Sequence, residues 1–253
     1  MDIFLIIGII AGFLSVVVGM IVKGADVSVL INPAAIIIIF GGSIAALLNS
    51  YPMQQIKRLP KVFGVLFNNR EVNNADLIQS IIEMANMARR DGLLALESHV
   101  NTLDDPFLKK GLEMVVDGID AEQIREILET EIAGIEERHH SAAKMFKTLG
   151  STSPTLGVLG AVIGLIGALG NLSDVEALGH MIKAAFVATL YGIFFGYVLM
   201  MPFASRLESK SQEEIQQKMI ILEGVMAIQA GHSPKNIEKQ LNSIIEPNQR
   251  RES

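Results

Sequence analysis

Four long runs without a charged side chain constrain this sequence more than any other feature. Two of them lie between Lys147 and Asp174 and between Lys183 and Arg206, and each exceeds the roughly 20 apolar residues that a helix needs to cross a hydrocarbon core. The runs predict membrane-spanning helices at residues 3–22, 33–51, 150–172 and 181–202. A chain with this pattern is expected to fold as a bundle of transmembrane helices.

Composition supports a membrane protein and argues against several other classes. Half of the 253 residues are hydrophobic. A net charge of −6 argues against a nucleic-acid partner, which needs clustered basic surface. The absence of cysteine excludes disulfides and thiol-ligated metals. The histidine pair His139-His140 has poor ligand geometry because adjacent helical side chains point apart. We therefore expect neither a metal site nor a cofactor.

Lysine and arginine side chains predict the orientation of the four spans. They cluster on one side of the membrane: Lys57, Arg58, Lys61 and Arg70 after the second span, Lys144 and Lys147 before the third, and Arg206 and Lys210 after the fourth. The other two connections hold only Lys23 and Lys183. By the positive-inside rule, both termini and the long loop are expected to be cytoplasmic.

The same pattern divides the chain into four regions. They are two peripheral spans (1–51), a cytoplasmic helical region (52–148), two central spans (149–205) and a cytoplasmic tail (206–253). In the long loop, Asn74 is predicted to cap a helix that runs to Arg90, and Asp105-Pro106 to start another. A long amphipathic helix should lead from Asp120 towards the third span.

No strand-like alternation persists along the sequence. The predicted fold class is therefore all-α: an integral membrane protein with four transmembrane helices and a helical cytoplasmic domain inserted between helices 2 and 3.

Glycine spacing predicts how the spans pack. Six glycines fall on one face of the third span or four residues apart in the fourth: Gly157, Gly160, Gly164, Gly167, Gly192 and Gly196. Small residues at such spacing let helix backbones approach closely in a membrane. The third and fourth spans should therefore form a tight hairpin, whereas the Ile-rich block 34–40 is typical of a lipid-facing helix.

Prolines and hydroxyls are the unusual groups of the central spans. Pro154 and Pro202 each remove a backbone donor, which is compatible with a simple kink or with a hinge. Thr155 and Thr189 either bond their own helix or line a wet path. No Asp, Glu, His, Lys or Arg lies near the middle of any span, so an ion path would need a carboxylate from another chain.

Three stretches of the sequence are recognisable as family motifs. The run Ala185–Phe194 (AFVATLYGIF) is followed by Pro202, the third span reads SPTLGVLGAVIGLIGALG from Ser153, and Ala88–Glu97 reads ARRDGLLALE. With the order and size of the spans, they resemble the MotA/PomA family of bacterial flagellar motor stator subunits, which is related to ExbB and TolQ.

The resemblance implies partners and a location. Family members form a pentameric ring around a MotB partner, which supplies the transmembrane aspartate and the peptidoglycan anchor. The ring lies in the inner membrane and acts on the rotor protein FliG. The implied function is an ion-channel-forming stator subunit that couples inward ion flow to torque on the rotor.

The resemblance also implies residue roles. Arg89, Glu97 and, with more family variation, the neighbouring Arg90 match the rotor-binding charges of region 52–148. The prolines at 154 and 202 match the family's coupling hinge, and the threonine at 189 matches its ion path.

Two questions remain open at this level. Sodium-driven relatives carry threonine where this chain has Ala161, so one oxygen ligand for Na⁺ is missing and H⁺ is favoured. The alternative functions are an ExbB- or TolQ-like energiser of an outer-membrane system and a passive membrane scaffold.

Overall fold

The computed structural model describes residues 2–68, 73–170, 172–247 and 250. In chain order the helices are α1 (Ile3–Val22), α2 (Pro33–Ile36, continued by Ile37–Gly41 and Gly42–Ser50), α3 (Met53–Ile56), α4 (Leu59–Phe67), α5 (Asn74–Asp91), α6 (Glu97–Val100), α7 (Pro106–Val116), α8 (Ala121–Leu169), α9 (Val175–Gln229) and α10 (Pro234–Asn242). Short 3-10 turns occupy Val27–Leu30 and Leu93–Leu96. No strand occurs among these described residues, and the all-α prediction is confirmed.

The chain folds as two compact units. One, the membrane unit, comprises Met1–Asn69 and His139–Ser209; the other, the cytoplasmic-type unit, comprises Arg70–Arg138 and Lys210–Ser253. Among the described residues, four helices, or parts of them, are long and apolar enough to cross a membrane: α1, the segment Val27–Ser50, α8 and α9. The multi-pass membrane character predicted from the charge-free runs is therefore confirmed.

The connection between the central spans differs from the prediction. The third span ends at Leu169 rather than 172, and the fourth begins at Val175 rather than 181. The cause is a cap: the Asp174 carboxylate accepts hydrogen bonds of 3.0 Å from the backbone N–H groups of Glu176 and Ala177. This cap satisfies N–H groups that would otherwise lack partners, so the helix starts before the apolar run does.

Two spans contain π-helical segments that the sequence did not predict. One covers Ile37–Gly41 in α2, and the other covers Phe194–Met200 in α9 and ends two residues before Pro202. Proline supplies no N–H to the preceding turn, and π-helical turns are one way for a helix to absorb such a lost bond. The two segments touch through Phe40 and Phe195, whose ring centroids are 4.6 Å apart.

The Ile-rich block of α2, which is typical of a lipid-facing helix, has an exposed face and a buried face. Ala35 and Ile39 are buried, whereas Ile37 remains 71% exposed. The buried face packs on the central spans, since a Cβ added at Gly42 would lie 2.8 Å from the Leu156 side chain.

One end of the membrane unit holds its own apolar cluster. At its centre, the ring centroid of Phe146 lies 5.0 Å from that of Phe63 and 6.4 Å from that of Phe203. Both pairs of rings meet edge-on. The fully buried Leu66 belongs to the same cluster and ties α4 to α8 and α9.

The cytoplasmic-type unit is a helical bundle with a continuous buried core. Its core includes Ile81, Met84, Leu96, Phe107, Leu112, Ile124, Leu128, Ile220 and Leu241. The cap of α5 is Asn73 rather than the predicted Asn74, because the Asn73 side chain accepts from Ala75 N–H at 3.0 Å. The predicted start of α7 is confirmed, since Asp105 accepts from Phe107 and Leu108 N–H at 2.8 and 3.0 Å.

Asp105 also forms an ion pair across the bundle. Lys218 Nζ lies 3.0 Å from its carboxylate. Burial alone raises the pKa of Asp105, but the backbone N–H groups of Leu108 and Phe107 and the Lys218 ammonium outweigh it and hold the pKa below its ordinary value.

Candidate functional site

The third and fourth spans, within α8 and α9, meet along a seam of glycines. A Cβ built on Gly157 would lie 2.9 Å from the Ala188 carbonyl oxygen, and one on Gly192 would lie 2.5 Å from the Ser153 carbonyl oxygen. Both distances are shorter than real Cβ contacts, and the neighbouring atoms are backbone. The two helices therefore touch main chain to main chain at this level, and any side chain here would push them apart.

The seam is less tight towards the connection between the two spans. Added Cβ atoms on Gly160 and Gly164 would each lie 2.9 Å from an alanine methyl carbon, of Ala188 and Ala185 respectively. At Gly167 the nearest atom is the flexible Met181 sulfur at 3.5 Å, an ordinary contact. Spacing alone assigned all six glycines the same role, but the structure leaves room for a methyl group at Gly167.

Pro154 sits at the tight end of the seam. The helix runs through Pro154 without a break. Gly196 of α9 closes against this point, since its added Cβ would lie 2.6 Å from the Gly150 carbonyl oxygen and 2.8 Å from Pro154 Cδ. The carbonyl that loses its usual donor to the proline thus faces Gly196. Pro202, in contrast, is exposed.

The three residues predicted for the ion path lie in different surroundings. Thr155 is exposed, Ala161 is half-buried, and Thr189 is half-buried on the seam. The Thr189 hydroxyl lies 3.4 Å from its own helix's Ala185 carbonyl and 3.5 Å from the Gly157 carbonyl across the seam. Both distances are long for hydrogen bonds, so this hydroxyl is only weakly bonded to either helix.

A buried hydroxyl pair next to Pro154 was missed by sequence reasoning. Ser43 Oγ of α2 lies 3.1 Å from Ser153 Oγ of α8, and both side chains are buried. The signal that could have pointed to Ser43 is its position as a single hydroxyl in an otherwise apolar stretch of the second span.

The predicted rotor-binding charges are all exposed on the cytoplasmic-type unit. Arg90 pairs with its neighbour Asp91 at 2.7 Å. The hydrogen bond and charge of Asp91 raise the pKa of Arg90, and the hydrogen bond from Arg90 lowers the pKa of Asp91. Within the described ranges no ion pair involves the side chains of Arg89 or Glu97, which leaves both charges available to a partner.

Two family models match the chain. The model described as Motility protein A N-terminal matches residues 6–92, and the MotA/TolQ/ExbB proton channel family model matches residues 99–221. Motility protein A of Bacillus subtilis is 49% identical over 237 residues, which are 93% of this chain and 88% of that protein. The chain belongs to the motility protein A family.

Solved structures agree with membership of this family. The structure of C. jejuni MotAB superposes with a TM-score of 0.94 at 33% identity, covering 100% of this chain and 99% of that one. The flagellar MotAB stator complex of Bacillus subtilis gives 0.90 at 48% identity and covers 96% of both chains. The predicted class of function, a flagellar stator subunit that forms an ion channel, is therefore confirmed for this motility protein A relative.

The N-terminal match also bears on the alternative outputs. ExbB and TolQ share the channel family model over residues 99–221, but the motility model covers the two spans that precede it. This match favours the flagellar function over the ExbB- or TolQ-like energiser.

Proposed function

We propose that this chain is the ring-forming stator subunit that couples inward H⁺ flow to rotation of the flagellar rotor. The observation that carries the proposal is the seam at Gly157 and Gly192, closed main chain to main chain beside Pro154. A seam this close transmits a displacement of one span directly to the other, because no flexible side chain separates them.

A partner chain supplies the ion-binding group. The sequence from 184 to 205 has no Asp, Glu, His, Lys or Arg, and ion pathways through a membrane normally need such a group at depth. The MotB-like partner of the proposal contributes a transmembrane aspartate and an anchor to peptidoglycan. Thr155, Ala161 and Thr189 line the path by which the ion reaches that aspartate.

Exposed apolar surface on the third span supports assembly into a ring. Val158, Val162 and Ile166 are 55%, 46% and 65% exposed. In a membrane this face packs against partner helices or against further copies of the chain. The proposed ring has five copies, with the peripheral spans of 1–51 outside and the central spans of 149–205 facing the partner.

The membrane potential provides enough free energy for such a cycle. One elementary charge crossing it releases about 2.3 kcal/mol per 100 mV. Neutralising the partner aspartate lets the ring turn by one subunit, and Pro154 and Pro202 act as the coupling hinge.

The rotor contact lies on region 52–148 in this proposal. The exposed Arg89 and Glu97 meet opposite charges on the rotor protein FliG, and Arg90 contributes less because Asp91 already pairs with it. An exposed charge pair contributes about 0–1 kcal/mol, so single changes reduce motility partly rather than abolish it. The chain lies in the inner membrane with both termini and the tail 206–253 in the cytoplasm.

Complementation tests the proposal. A strain lacking its own stator genes would receive this chain with its native partner, and swimming speed would be measured against sodium concentration and against a protonophore. The proposal predicts restored swimming that ignores sodium and stops with the protonophore. Swimming that depends on sodium and resists the protonophore would overturn the choice of ion. No swimming, with protein present in the membrane, would overturn the stator function.

A further inference from the structure

Buried polar side chains are scarce in the described part of the chain, and they are not scattered. The buried polar or charged residues found there are Asp2, Ser43 and Ser153. All three belong to two contacts, and each contact joins one peripheral span to one central span. Burying a polar group is costly unless it is hydrogen-bonded, so such contacts mark places where a fixed geometry is held.

The first contact joins α2 to the turn that contains Pro154. Ser153 Oγ donates to the Leu149 carbonyl oxygen at 2.6 Å, which leaves it able to accept from Ser43 Oγ at 3.1 Å. A serine that bonds back to the carbonyl four residues earlier tends to bend its helix. Ser43 therefore holds the side chain of the residue immediately before Pro154 in place.

The second contact joins the start of α1 to the turn after Pro202. The Arg206 guanidinium binds the Asp2 carboxylate through two nitrogens, with Nε at 2.8 Å. Asp2 also caps α1 by accepting from Leu5 N–H at 3.3 Å, and its own N–H donates to the Phe67 carbonyl oxygen at 2.9 Å. Asp2 is only 2% exposed, so leaving its carboxylate without this partner would be costly.

Each of the two contacts lies within one helical turn of a proline. Ser153 directly precedes Pro154, and Arg206 follows Pro202 by four residues, which places it one turn further along the same helix face. We propose that Asp2 and Ser43 are positioning residues: each peripheral span braces one proline of the central hairpin through one buried polar contact.

This inference rests on the hinge role given to the two prolines in the proposed function. A hinge transmits force only if one of the two helix segments that it joins is held in place. If both segments are free to move, they absorb the motion. The peripheral spans thus serve as the fixed side, in addition to contacting lipid.

The Ser43 brace is tested by torque per stator unit. Speed steps of a tethered bead, recorded while stator units join one at a time, measure the torque of a single unit, and immunoblots measure the amount in the membrane. Ser43→Ala should reduce the step, because it removes an interhelical hydrogen bond in the membrane unit. Ser15→Ala is the matched control, because Ser15 bonds only the Gly12 carbonyl of its own helix and is exposed.

Non-additivity separates a brace from simple packing. Ser153→Ala combined with Ser43→Ala should reduce the step no more than the single change, because both remove the same bond. If the double variant instead reduces the step by the product of the two single reductions, the Ser43 brace is overturned.

The Asp2 brace is tested by conservative and non-conservative changes of its partner. Arg206→Gln should lower the torque step severalfold, and Arg206→Lys should recover only part of it, because lysine keeps the charge but cannot reproduce the two-nitrogen contact. Lys147→Gln is the matched control, since it breaks an exposed pair of 2.6 Å with Glu208 in the same unit. Equal torque steps for Arg206→Gln and the control would overturn the Asp2 brace.

A cysteine pair keeps the test decisive if the alanine variants are poorly assembled. The chain has no cysteine, so Ser43→Cys with Ser153→Cys creates a single possible intramolecular disulfide. Oxidation with copper phenanthroline and oxygen should raise the torque step, and reduction with dithiothreitol should lower it again. A crosslinked protein that gives the same or a lower step would overturn the inference.

Proline variants show which claim has failed. If Pro154→Ala and Pro202→Ala leave the torque step unchanged, the hinge of the proposed function is wrong, and the braces with it. If the proline variants lower the step but the Ser43 and Arg206 variants match their controls, only the brace inference is wrong.

Discussion

The two units of this chain place their large apolar side chains in opposite ways. In the cytoplasmic-type unit, Ile81, Leu112 and Leu128 are completely buried among neighbours from other helices. In the membrane unit, none of the 20 described residues of α1 is buried, and Phe4 at its start is 82% exposed. One unit covers its apolar surface by itself, whereas the other leaves that surface to lipid and to other chains.

The difference determines what holds each unit together. Burial from water stabilises the cytoplasmic-type unit. Between helices in a lipid environment this driving force is absent, and close packing and buried hydrogen bonds take its place. The glycine seam and the Ser43–Ser153 pair are therefore the membrane counterparts of the apolar core.

Gly192→Val should give the largest effect, because it attacks the close packing of the membrane unit directly. The new side chain would have to displace the Ser153 carbonyl and the Gly157 backbone, both within 3 Å of its Cβ. Overpacking typically costs about 1–3 kcal/mol, and more where backbone must move. Motility should be lost. Gly19→Val in α1 should remain motile, because nothing described lies within 4 Å of that position. Equal motility of the two variants would refute the seam.

Leu128→Ala tests the other side of the comparison. Removing a fully buried leucine from a core is expected to cost about 2–5 kcal/mol. Thermal unfolding of the purified complex should show an earlier transition, with increased hydrogen exchange confined to the cytoplasmic-type unit. Phe4→Ala should leave that transition in place, and a comparable shift from both changes would contradict the contrast between the units.

Asp105→Asn should give a smaller, pH-dependent effect in the cytoplasmic-type unit. The pKa of Asp105 is lower in the folded state than in the unfolded state, so its charge stabilises the fold at neutral pH and this contribution disappears as pH falls through the folded pKa. Because the side chain is partly exposed, we expect a loss of about 0.5–1 kcal/mol at pH 7. Hydrogen exchange of α7 should show the difference at pH 7, and the difference should disappear at an acidic pH below the folded pKa of Asp105, where the carboxyl group is protonated in both states. A difference of the same size at both values would rule out this electrostatic origin.

Gly167→Ala should have the smallest effect and defines where the seam ends. The added methyl group would meet only the Met181 sulfur at 3.5 Å. Gly164→Ala, one turn away, would meet the Ala185 methyl carbon at 2.9 Å and should lower swimming speed. If both variants swim equally, the tight contact at Gly164 is not needed.

The sequence predicted the spans and the glycine seam because both follow from rules that act locally. A lipid environment excludes charged side chains over a fixed length of helix. The predicted bounds of the first span, 3–22, therefore match those of α1 to the residue. The start of α9 was misplaced because the Asp174 cap, rather than hydropathy, decides it.

Contacts that depend on helix register could not be predicted. The pairing of Ser43 with Ser153 joins residues 110 positions apart, and that of Asp2 with Arg206 joins residues 204 apart. Arg206 was interpreted only as one of several charges near a span end, because nothing in the sequence shows which of them meets a carboxylate. The roles of Arg89, Glu97 and the two prolines stay predictions, since the fold places these residues but does not display their motion.

Proton flux into liposomes tests the central claim most directly, namely that the ring has no ion-binding acid of its own. The chain would be reconstituted alone and together with its MotB-like partner, with a dye reporting internal pH under an imposed membrane potential. We predict flux only for the complex, and loss of flux when the partner's transmembrane aspartate is changed to asparagine. Comparable flux from the chain alone would contradict the account.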